Sequence, residues 1–337
     1  MPLSIEDIAA SPAWLPLQAV EGAAMQAVQL DESAYRAATF LDQRLLQQGY
    51  PQQNCALTVL QDAARQLTAH AHFVFHTGHV GSTLISRLIG AQQAFFSLRE
   101  PALLRALAAP TAGGDGTFLL PEALALLART WRTEQRAVIK VTSFVSELAE
   151  RILSAQPHSA AIFMFAHPLA YLQGILAGAN SRTENRHLAP ARLQRLQQRL
   201  GAGALGAAPR SEGEVIAMSW LCEMTALQQA AVRHPAQVLW VDFDVLLAAP
   251  CDGLQRIFAA LGAAVAPAEL ERLVAGPLMR QYSKAPEHFY DAVLRRTLLT
   301  QADQEHQQEI RCGMAWLHQA AREQPMITAV LERDRHL

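Results

Sequence analysis

Four continuous apolar runs, separated by long segments with helical spacing, constrain the fold of this chain most. They are HFVFHTG at 72–78, AVIKVTS at 137–143, AAIFMFA at 160–166 and QVLWVDF at 237–243, and AFFSLRE at 94–100 is a candidate further strand. Strands that are apolar along their whole length are covered on both faces, as in parallel sheets. The alternation of strand and helix therefore predicts an α/β fold, with helices on both faces of a central parallel sheet.

The segments on either side of this sheet are predicted to be helical. Residues 1–70 have apolar positions at mixed spacing, interrupted by prolines, and we expect a helical N-terminal extension there. The α/β domain is expected to occupy 71–337 and to end in a helical C-terminal part. Within it, residues 180–213 combine an arginine-rich amphipathic stretch with a Gly/Ala-rich loop and are a candidate lid.

Composition and charge exclude several classes of protein. In 337 residues no apolar run reaches the roughly 18 residues of a membrane span, and the N-terminus lacks the basic and apolar blocks of a signal peptide. The net charge of -2 argues against a nucleic-acid partner, and the four cysteines lie far apart without a CxxC pair. We therefore expect a cytoplasmic protein with no membrane or nucleic-acid partner, and the oligomeric state stays open.

The first strand leads into HTGHVGSTLISRLIG at 76–90, the most informative motif of the chain. A buried strand that turns directly into a helix leaves the first amide groups of that helix unpaired, with its positive dipole end facing outward. Gly78 and Gly81 let the backbone approach a phosphate closely, and the hydroxyls of Ser82 and Thr83 can donate to its oxygens. The motif therefore predicts an anion site.

The same loop departs from the Walker pattern G-x-x-x-x-G-K-[ST] at two positions. His76 stands in place of the first glycine, and Ser82 stands in place of the lysine. An ordinary ATPase or GTPase is therefore not expected. A tight strand-to-helix turn that binds no ligand stays an alternative, because Gly-Ser-Thr is common where helices begin.

This loop and three later motifs resemble the sulfotransferase superfamily. HTGHVGSTLISRLIG is similar to that family's 5′-phosphosulfate loop, R/K-S-G-S/T-T, and is followed by Glu100-Pro101 in FFSLREPALLRAL. VLWVDFDVLLAAPCDGLQRIFAALG resembles the family's strand, acidic turn, proline and helix, and QYSKAPEHFYDAVLRRTLL resembles C-terminal segments of its bacterial members. Together the motifs cover most of residues 72–300 in the order found in the family.

The resemblance implies a P-loop-like fold and a reaction in which 3′-phosphoadenosine 5′-phosphosulfate (PAPS) donates a sulfuryl group to a small-molecule hydroxyl or amine, leaving adenosine 3′,5′-bisphosphate (PAP). No metal is implied. The residues expected to hold the 5′-phosphosulfate are Gly78, His79, Val80, Gly81, Ser82 and Thr83. Glu100 would be the general base, with a solvated surface carboxylate as the alternative, and His79 would supply positive charge.

The chain departs from the family's pattern at its cations. His79 aligns with the Arg or Lys of the loop, and Ala166 and Gly174 align with the arginine and serine that bind the 3′-phosphate. The residues expected to replace these ligands are His167, Arg182, Arg186 and Lys284. Arg182 and Arg186 have the i, i+4 spacing that brings two guanidiniums to one anion, although a solvated helix face is an equal alternative.

Two other functions stay open beside the sulfotransferase. The simultaneous departures at His79, Ala166 and Gly174 are also compatible with an inactive protein of this fold that binds a partner or another small anion. Asp242 resembles a magnesium-binding Walker-B aspartate and suggests a small-molecule kinase, with a turn or cap residue as the alternative. Lys140, at the end of the second strand, is expected either to line the site or merely to leave the sheet. The acceptor cannot be read from the sequence.

Overall fold

The computed structural model describes residues 2–21, 23–109, 120–201, 203, 205, 208–283 and 285–333. Its first part contains the helices α1 (Ile5–Ala9), α2 (Glu32–Ala37) and α3 (Leu57–Arg65), a 3-10 helix (Gln43–Gln47), and the strands β1 (Trp14–Val20), β2 (Ala24–Gln29) and β3 (Gln52–Ala56). The three strands form an antiparallel sheet in the order β1-β2-β3. The prediction of a purely helical extension over residues 1–70 is therefore wrong.

Polar and breaker residues explain why the sequence concealed this sheet. Pro16, which suggested a helix break, lies at an irregularity in the pairing of β1 with β2, where a strand tolerates proline. Glutamine side chains pair across the strands. Gln18 Nε2 donates to Gln26 Oε1 at 2.8 Å, and Gln26 Nε2 donates to Gln52 Oε1 at 2.9 Å. This ladder of amides joins all three strands without an apolar alternation.

The central sheet consists of β4 (Ala71–His76), β5 (Phe95–Arg99), β6 (Arg136–Lys140), β7 (Ala161–Phe165) and β8 (Val238–Asp242). All neighbouring strands are parallel, in the order β5-β6-β4-β7-β8. Each strand lies within one of the predicted apolar runs or extends it by one residue. The predicted α/β fold around a parallel sheet is confirmed.

Helices follow the strands and cover both faces of the sheet. They are α4 (Ser82–Gly90), α5 (Ala102–Ala108), α6 (Leu120–Leu127), α7 (Ala149–Ala155), α8 (Pro168–Leu176), α9 (Ala179–Leu200), α10 (Glu212–Arg233), α11 (Phe243–Ala248), α12 (Pro250–Ala260) and α13 (Pro267–Ala275). Successive strand residues point to opposite faces, so Phe73 and Phe75 belong to one core cluster and Val74 to the other. The first cluster also contains Leu15 and Met25, so the N-terminal extension packs into the same core.

The C-terminal part begins with a short antiparallel hairpin, β9 (Gln281–Tyr282) and β10 (Ala285–Phe289), which follows a 3-10 helix (Pro277–Arg280). The helices α14 (Ala292–Glu305), α15 (Gln307–Glu323) and α16 (Pro325–Leu331) follow. No helix in the described part of the chain combines the length and the apolar character needed to cross a membrane.

The first half of the candidate lid is the packed helix α9. Arg192 and Arg195 are buried on it, and Arg195 Nη1 donates to the Phe144 carbonyl at 2.8 Å. The Gly/Ala-rich loop that follows contains residues 202, 204, 206 and 207, which lie outside the described residues. A lid movement of this segment stays a prediction.

Candidate anion-binding site

The loop between β4 and α4 lies at the point where the sheet changes direction. From β4 the chain builds β5 and β6 on one side and then β7 and β8 on the other, so β4 is the central strand. Open α/β sheets bind ligands in the crevice at the carboxyl ends of the strands on either side of such a switch. A cavity of about 720 Å³ opens there, and the predicted loop residues from Gly78 to Thr83 all line it.

The backbone of the loop is shaped for a close approach. Gly78 has φ 98°, His79 has φ 56° and Gly81 has φ 66°, so the chain is left-handed at three positions before the helix begins. Gly81 precedes α4, and no side chain caps the helix N-terminus. The first amides of α4 therefore remain available to an anion, which the helix dipole also favours.

Phe243 forms the wall behind Gly81. A Cβ atom on Gly81 would lie 2.1 Å from Phe243 Cε2, so only glycine fits here. Arg295 lies over the Phe243 ring, with its guanidinium carbon 4.8 Å from the ring centroid. Arg295 is in turn held by Asp244, with Nε to Oδ1 at 2.9 Å and Nη2 to Oδ2 at 3.2 Å. The wall is therefore rigidly positioned.

His76 organises the start of the loop. Its Nδ1 accepts a hydrogen bond from the Gly78 N–H at 3.0 Å, which places the ring proton on Nε2, and Nε2 lies 2.9 Å from the Val141 carbonyl. The Gly78 amide is thus satisfied within the protein, and the anion donors are the amides nearer α4. The sequence suggested His76 only as the residue that replaces a Walker glycine.

Ser82 and Thr83 open α4 and are 5% and 4% exposed. Val80 is 1% exposed and its side chain belongs to the core, so it contributes backbone rather than side chain to the cavity. His79 Nδ1 lies 3.5 Å from Ser181 Oγ of α9. The loop thus combines small, polar and backbone groups around one position, as an oxyanion site requires.

Glu100 also lines this cavity, immediately after β5. Its N–H donates to the Lys140 carbonyl at 2.6 Å, and its Oε1 contacts Lys140 Nζ. The Glu100 side chain is 14% exposed and that of Lys140 is 1% exposed, so Glu100 is not a solvated surface carboxylate. Arg99, the residue before Glu100, pairs in register with Lys140. The Glu100 carboxylate and the Lys140 ammonium group therefore meet at the carboxyl ends of adjacent strands.

Backbone strain concentrates at the same cavity. In the described part of the chain, Ala23, His79 and Glu100 are the non-glycine residues with positive φ, and the last two line the cavity. A left-handed conformation costs such a residue about 1–2 kcal/mol. Strain of this kind persists where the surrounding structure holds it and is frequent at functional sites. The catalytic roles of both residues stay predictions.

The predicted 3′-phosphate ligands do not gather at this cavity. Arg182 and Arg186 reach one anion, as their spacing predicts, but that anion is the Glu212 carboxylate, at 2.5 Å and 3.0 Å. His167 lines a separate cavity of about 290 Å³ together with His318. Neither the arginines nor His167 line the larger cavity. Lys284 lies outside the described residues.

Other arginines, none of which was predicted from the sequence to bind the nucleotide, line the larger cavity. Among the described residues they are Arg44, Arg105, Arg192, Arg280 and Arg295. Arg44, Arg192 and Arg295 form ion pairs with carboxylates. Arg105 and Arg280 are exposed and have no ion pair within the described part of the chain. Arg280 ends the 3-10 helix that packs against α4. The sequence pointed to Lys284, four positions later in the same segment, but could not show that Arg280 lines the cavity.

Asp242 occupies the position of a helix cap rather than a cavity wall. Its Oδ1 accepts hydrogen bonds from the Asp244 and Val245 N–H groups at 2.8 Å and 2.9 Å, at the start of α11. Asp242 does not line the large cavity. Across the ranges that the structure describes, no group of three or more His, Cys, Asp and Glu side chains is arranged to hold a metal ion.

No protein-family model matches the sequence, and no curated protein matches it either. Among solved structures, the chain is similar to the sulfotransferase domain from the curacin biosynthetic pathway, at 15% identity and a TM-score of 0.42, over 75% of this chain and 98% of that one. It is also similar to mouse sulfotransferase SULT7A1 complexed with PAP, at 12% identity and a TM-score of 0.41, over 81% and 93%. Sulfotransferase STF1 from Mycobacterium tuberculosis is similar at 14% identity and a TM-score of 0.44, over 73% and 80%.

Proposed function

We propose that this chain transfers a sulfuryl group from PAPS to a hydroxyl or amine of a small acceptor. The observation that supports this most is one cavity that is lined both by an uncapped helix N-terminus and by a partly buried carboxylate, Glu100. Transfer of a sulfuryl group requires donors around the leaving phosphate and a base for the acceptor proton. Candidates for both line the same cavity.

The residues of the cavity fit PAPS. Its volume of about 720 Å³ is within the range of pockets that enclose a ligand of this size. The α4 amides, Ser82 and Thr83 would hold the 5′-phosphosulfate, since Gly81 leaves the backbone open to close approach. Arg280 would bind the 3′-phosphate, because Arg182 and Arg186 are committed to Glu212, whereas Arg280 has no ion pair with any described residue and lies beside α4.

The chemistry of the chain's own residues follows from this arrangement. The acceptor oxygen forms a new S–O bond as the S–O bond to the 5′-phosphate breaks, and its proton passes to Glu100. Lys140 contacts Oε1 and thereby orients the carboxylate, which leaves Oε2 as the proton acceptor. The dipole of α4 stabilises the negative charge that accumulates on the leaving phosphate.

A kinase is less well supported by these contacts. A magnesium-binding aspartate needs free carboxylate oxygens beside the phosphates. Asp242 instead uses Oδ1 to cap α11 and does not line the cavity. Ser82 also stands where a kinase of the Walker type has its lysine.

Calorimetric titration with adenosine 3′,5′-bisphosphate tests the proposal. We expect binding at one site, and weaker binding of adenosine 5′-phosphate, which lacks the group assigned to Arg280. Glu100→Gln is the matched variant, because it keeps the shape of the side chain but removes its basicity. It should bind the nucleotide and lose transfer of labelled sulfate from PAPS. No binding at millimolar nucleotide would overturn the proposal.

A further inference from the structure

One wall of the cavity contains a buried arginine that is only partly satisfied. Arg192 of α9 is 4% exposed and lines the cavity. Its Nε donates to Glu223 Oε1 at 2.9 Å, and its Nη2 donates to Ser143 Oγ at 3.1 Å. Nη1 has no hydrogen-bond partner among the described residues. Nη1 is not among the fully buried unsatisfied atoms, so it is open to the cavity that Arg192 lines and can donate to a ligand there.

Arg192 lies beside Gly78, at the strand end of the loop, rather than at the first amides of α4. Ser143 Oγ and Tyr171 Oη are each 3.8 Å from the position that a Cβ atom on Gly78 would occupy. Ser143 is the partner of Arg192 Nη2, so the guanidinium lies beside Gly78. The Gly78 amide is already bound to His76, and the donors for a phosphate are those nearer α4. A ligand of Arg192 would therefore lie beside the loop to which we assign the 5′-phosphosulfate.

The rest of this wall offers both donors and acceptors. The α9 residues that line it are Ser181, Glu184, Asn185, Leu188 and Arg192, which recur at helical spacing along one face. They extend over about 16 Å of helix, at 1.5 Å per residue. Asn185 is 3% exposed and its amide nitrogen forms no hydrogen bond within the described chain, although it lies near Tyr171. Hydroxyl groups need such a mixture, since each donates one hydrogen bond and accepts others.

The charges of the wall disfavour an anionic ligand. The guanidinium of Arg192 is compensated by Glu223, whose side chain is 2% exposed. Burial raises the pKa of Tyr171 to about 12, so its hydroxyl is neutral at ordinary pH. Glu184 adds a carboxylate to the same helix face. The α9 residues of the wall therefore offer hydrogen bonds without surplus positive charge of their own, and Glu184 repels a carboxylate or phosphate placed against them.

The geometry points to an uncharged, hydroxyl-rich acceptor, a polyol or saccharide, that is selected by Arg192 Nη1 and the Asn185 amide. This inference rests on the proposed sulfuryl transfer only in calling the ligand an acceptor. The binding site itself is argued from the contacts of α9. One hydroxyl of the ligand would face Glu100 and the loop. A neighbouring oxygen would accept from Arg192, which makes Arg192 a specificity-determining residue.

Saturation-transfer NMR on the full chain tests the inference with a matched pair of probes. Methyl α-D-glucopyranoside and methyl α-D-glucopyranosiduronate differ only at C6, which is a hydroxymethyl group in the first and a carboxylate in the second. Each is measured with and without adenosine 3′,5′-bisphosphate. We expect the glucoside to bind and the uronate to bind about tenfold more weakly.

The double variant Arg192→Gln/Glu223→Gln removes the guanidinium without leaving a buried charge, and should weaken glucoside binding about tenfold. Arg195→Lys is the control, because Arg195 is buried on the same helix, binds carbonyls and does not line the cavity. It should bind the glucoside like the wild type. Circular dichroism verifies that both variants are folded.

The outcomes separate this inference from the proposed function. Equal or tighter binding of the uronate, glucoside binding unchanged in the double variant, or no glucoside binding would each overturn the inference. If the nucleotide binds and the glucoside does not, only the inference fails. If the glucoside binds through Arg192 but the nucleotide does not bind, the site stands and the proposed sulfuryl transfer fails.

Discussion

Replacing Gly81 by alanine would place a methyl group where the Phe243 ring already lies. The new Cβ atom would be 2.1 Å from Cε2 and 2.4 Å from Cζ of that ring, and the φ of 66° is unfavourable for any residue with a Cβ. The left-handed conformation costs about 1–2 kcal/mol. Overpacking against a ring held by Arg295 adds about 1–3 kcal/mol. We therefore expect Gly81→Ala to lose about 2–5 kcal/mol of unfolding free energy.

Gly49→Ala separates the two costs. Gly49 has a similar φ of 76°, but a Cβ atom there would have no other atom within 4 Å. Its replacement should therefore cost the backbone strain alone, about 1–2 kcal/mol. Phe243→Ala should be less destabilising in the Gly81→Ala background than in the wild type, because the clash is then relieved.

Urea unfolding, followed by circular dichroism, measures all four variants, and calorimetry with adenosine 3′,5′-bisphosphate measures the loop. Gly81→Ala should also weaken nucleotide binding, since the loop must move away from Phe243, whereas Gly49→Ala should not. If Gly81→Ala were no more destabilising than Gly49→Ala, or if the two substitutions at 81 and 243 were additive, the assigned contact between the loop and the Phe243 wall would be wrong.

Three further predictions concern charges in and below the site. Lys140→Met should lose about 3 kcal/mol in urea unfolding because it leaves Glu100 without its partner, and Lys140→Met/Glu100→Gln should recover most of that loss; equal losses would contradict a buried pair. Burial lowers the pKa of His72 to about 4, below its ordinary 6.5. Between these two pKa values the unfolded chain binds a proton that the folded chain does not. The free energy of unfolding should therefore fall by at most about 3 kcal/mol as the pH drops from 6.5 to 4. If the unfolding free energy of His72→Gln had the same pH dependence as that of the wild type, this prediction would be wrong. Arg280→Ala should weaken binding of adenosine 3′,5′-bisphosphate by about 10–100-fold but leave adenosine 5′-phosphate unaffected, while Arg182→Ala should change neither; calorimetry with both nucleotides would expose a reversed pattern.

The central sheet could be predicted because its strands are apolar on both faces, and a continuous apolar run in the sequence indicates such a strand. The N-terminal sheet could not, since β1 carries Pro16 at its irregular pairing and the strands are joined by amides such as Gln18 and Gln26. Polar cross-strand pairs leave no hydrophobic alternation to read. Tertiary pairing, rather than local pattern, determines these strands.

At the cavity, the strand-to-helix pattern predicted the loop and the family resemblance predicted Glu100, and both line it, whereas Arg182 and Arg186 do not. The i, i+4 spacing of Arg182 and Arg186 predicts that the two side chains are neighbours on a helix, and the structure confirms this. It does not state what faces them, and here Glu212 at the start of α10 does. Arg192 and Lys140 acquire their positions from α9 packing and from strand register, which are properties of the folded chain.

A crystal structure of the chain with adenosine 3′,5′-bisphosphate would test the central claim most directly. We expect the 5′-phosphate to lie on the first amides of α4, within hydrogen-bond distance of Ser82 and Thr83, with the 3′-phosphate near Arg280 and open space between the 5′-phosphate and Glu100. A nucleotide bound elsewhere, for example beside His167 and His318, or an empty loop at millimolar nucleotide, would contradict the assignment of this cavity to PAPS.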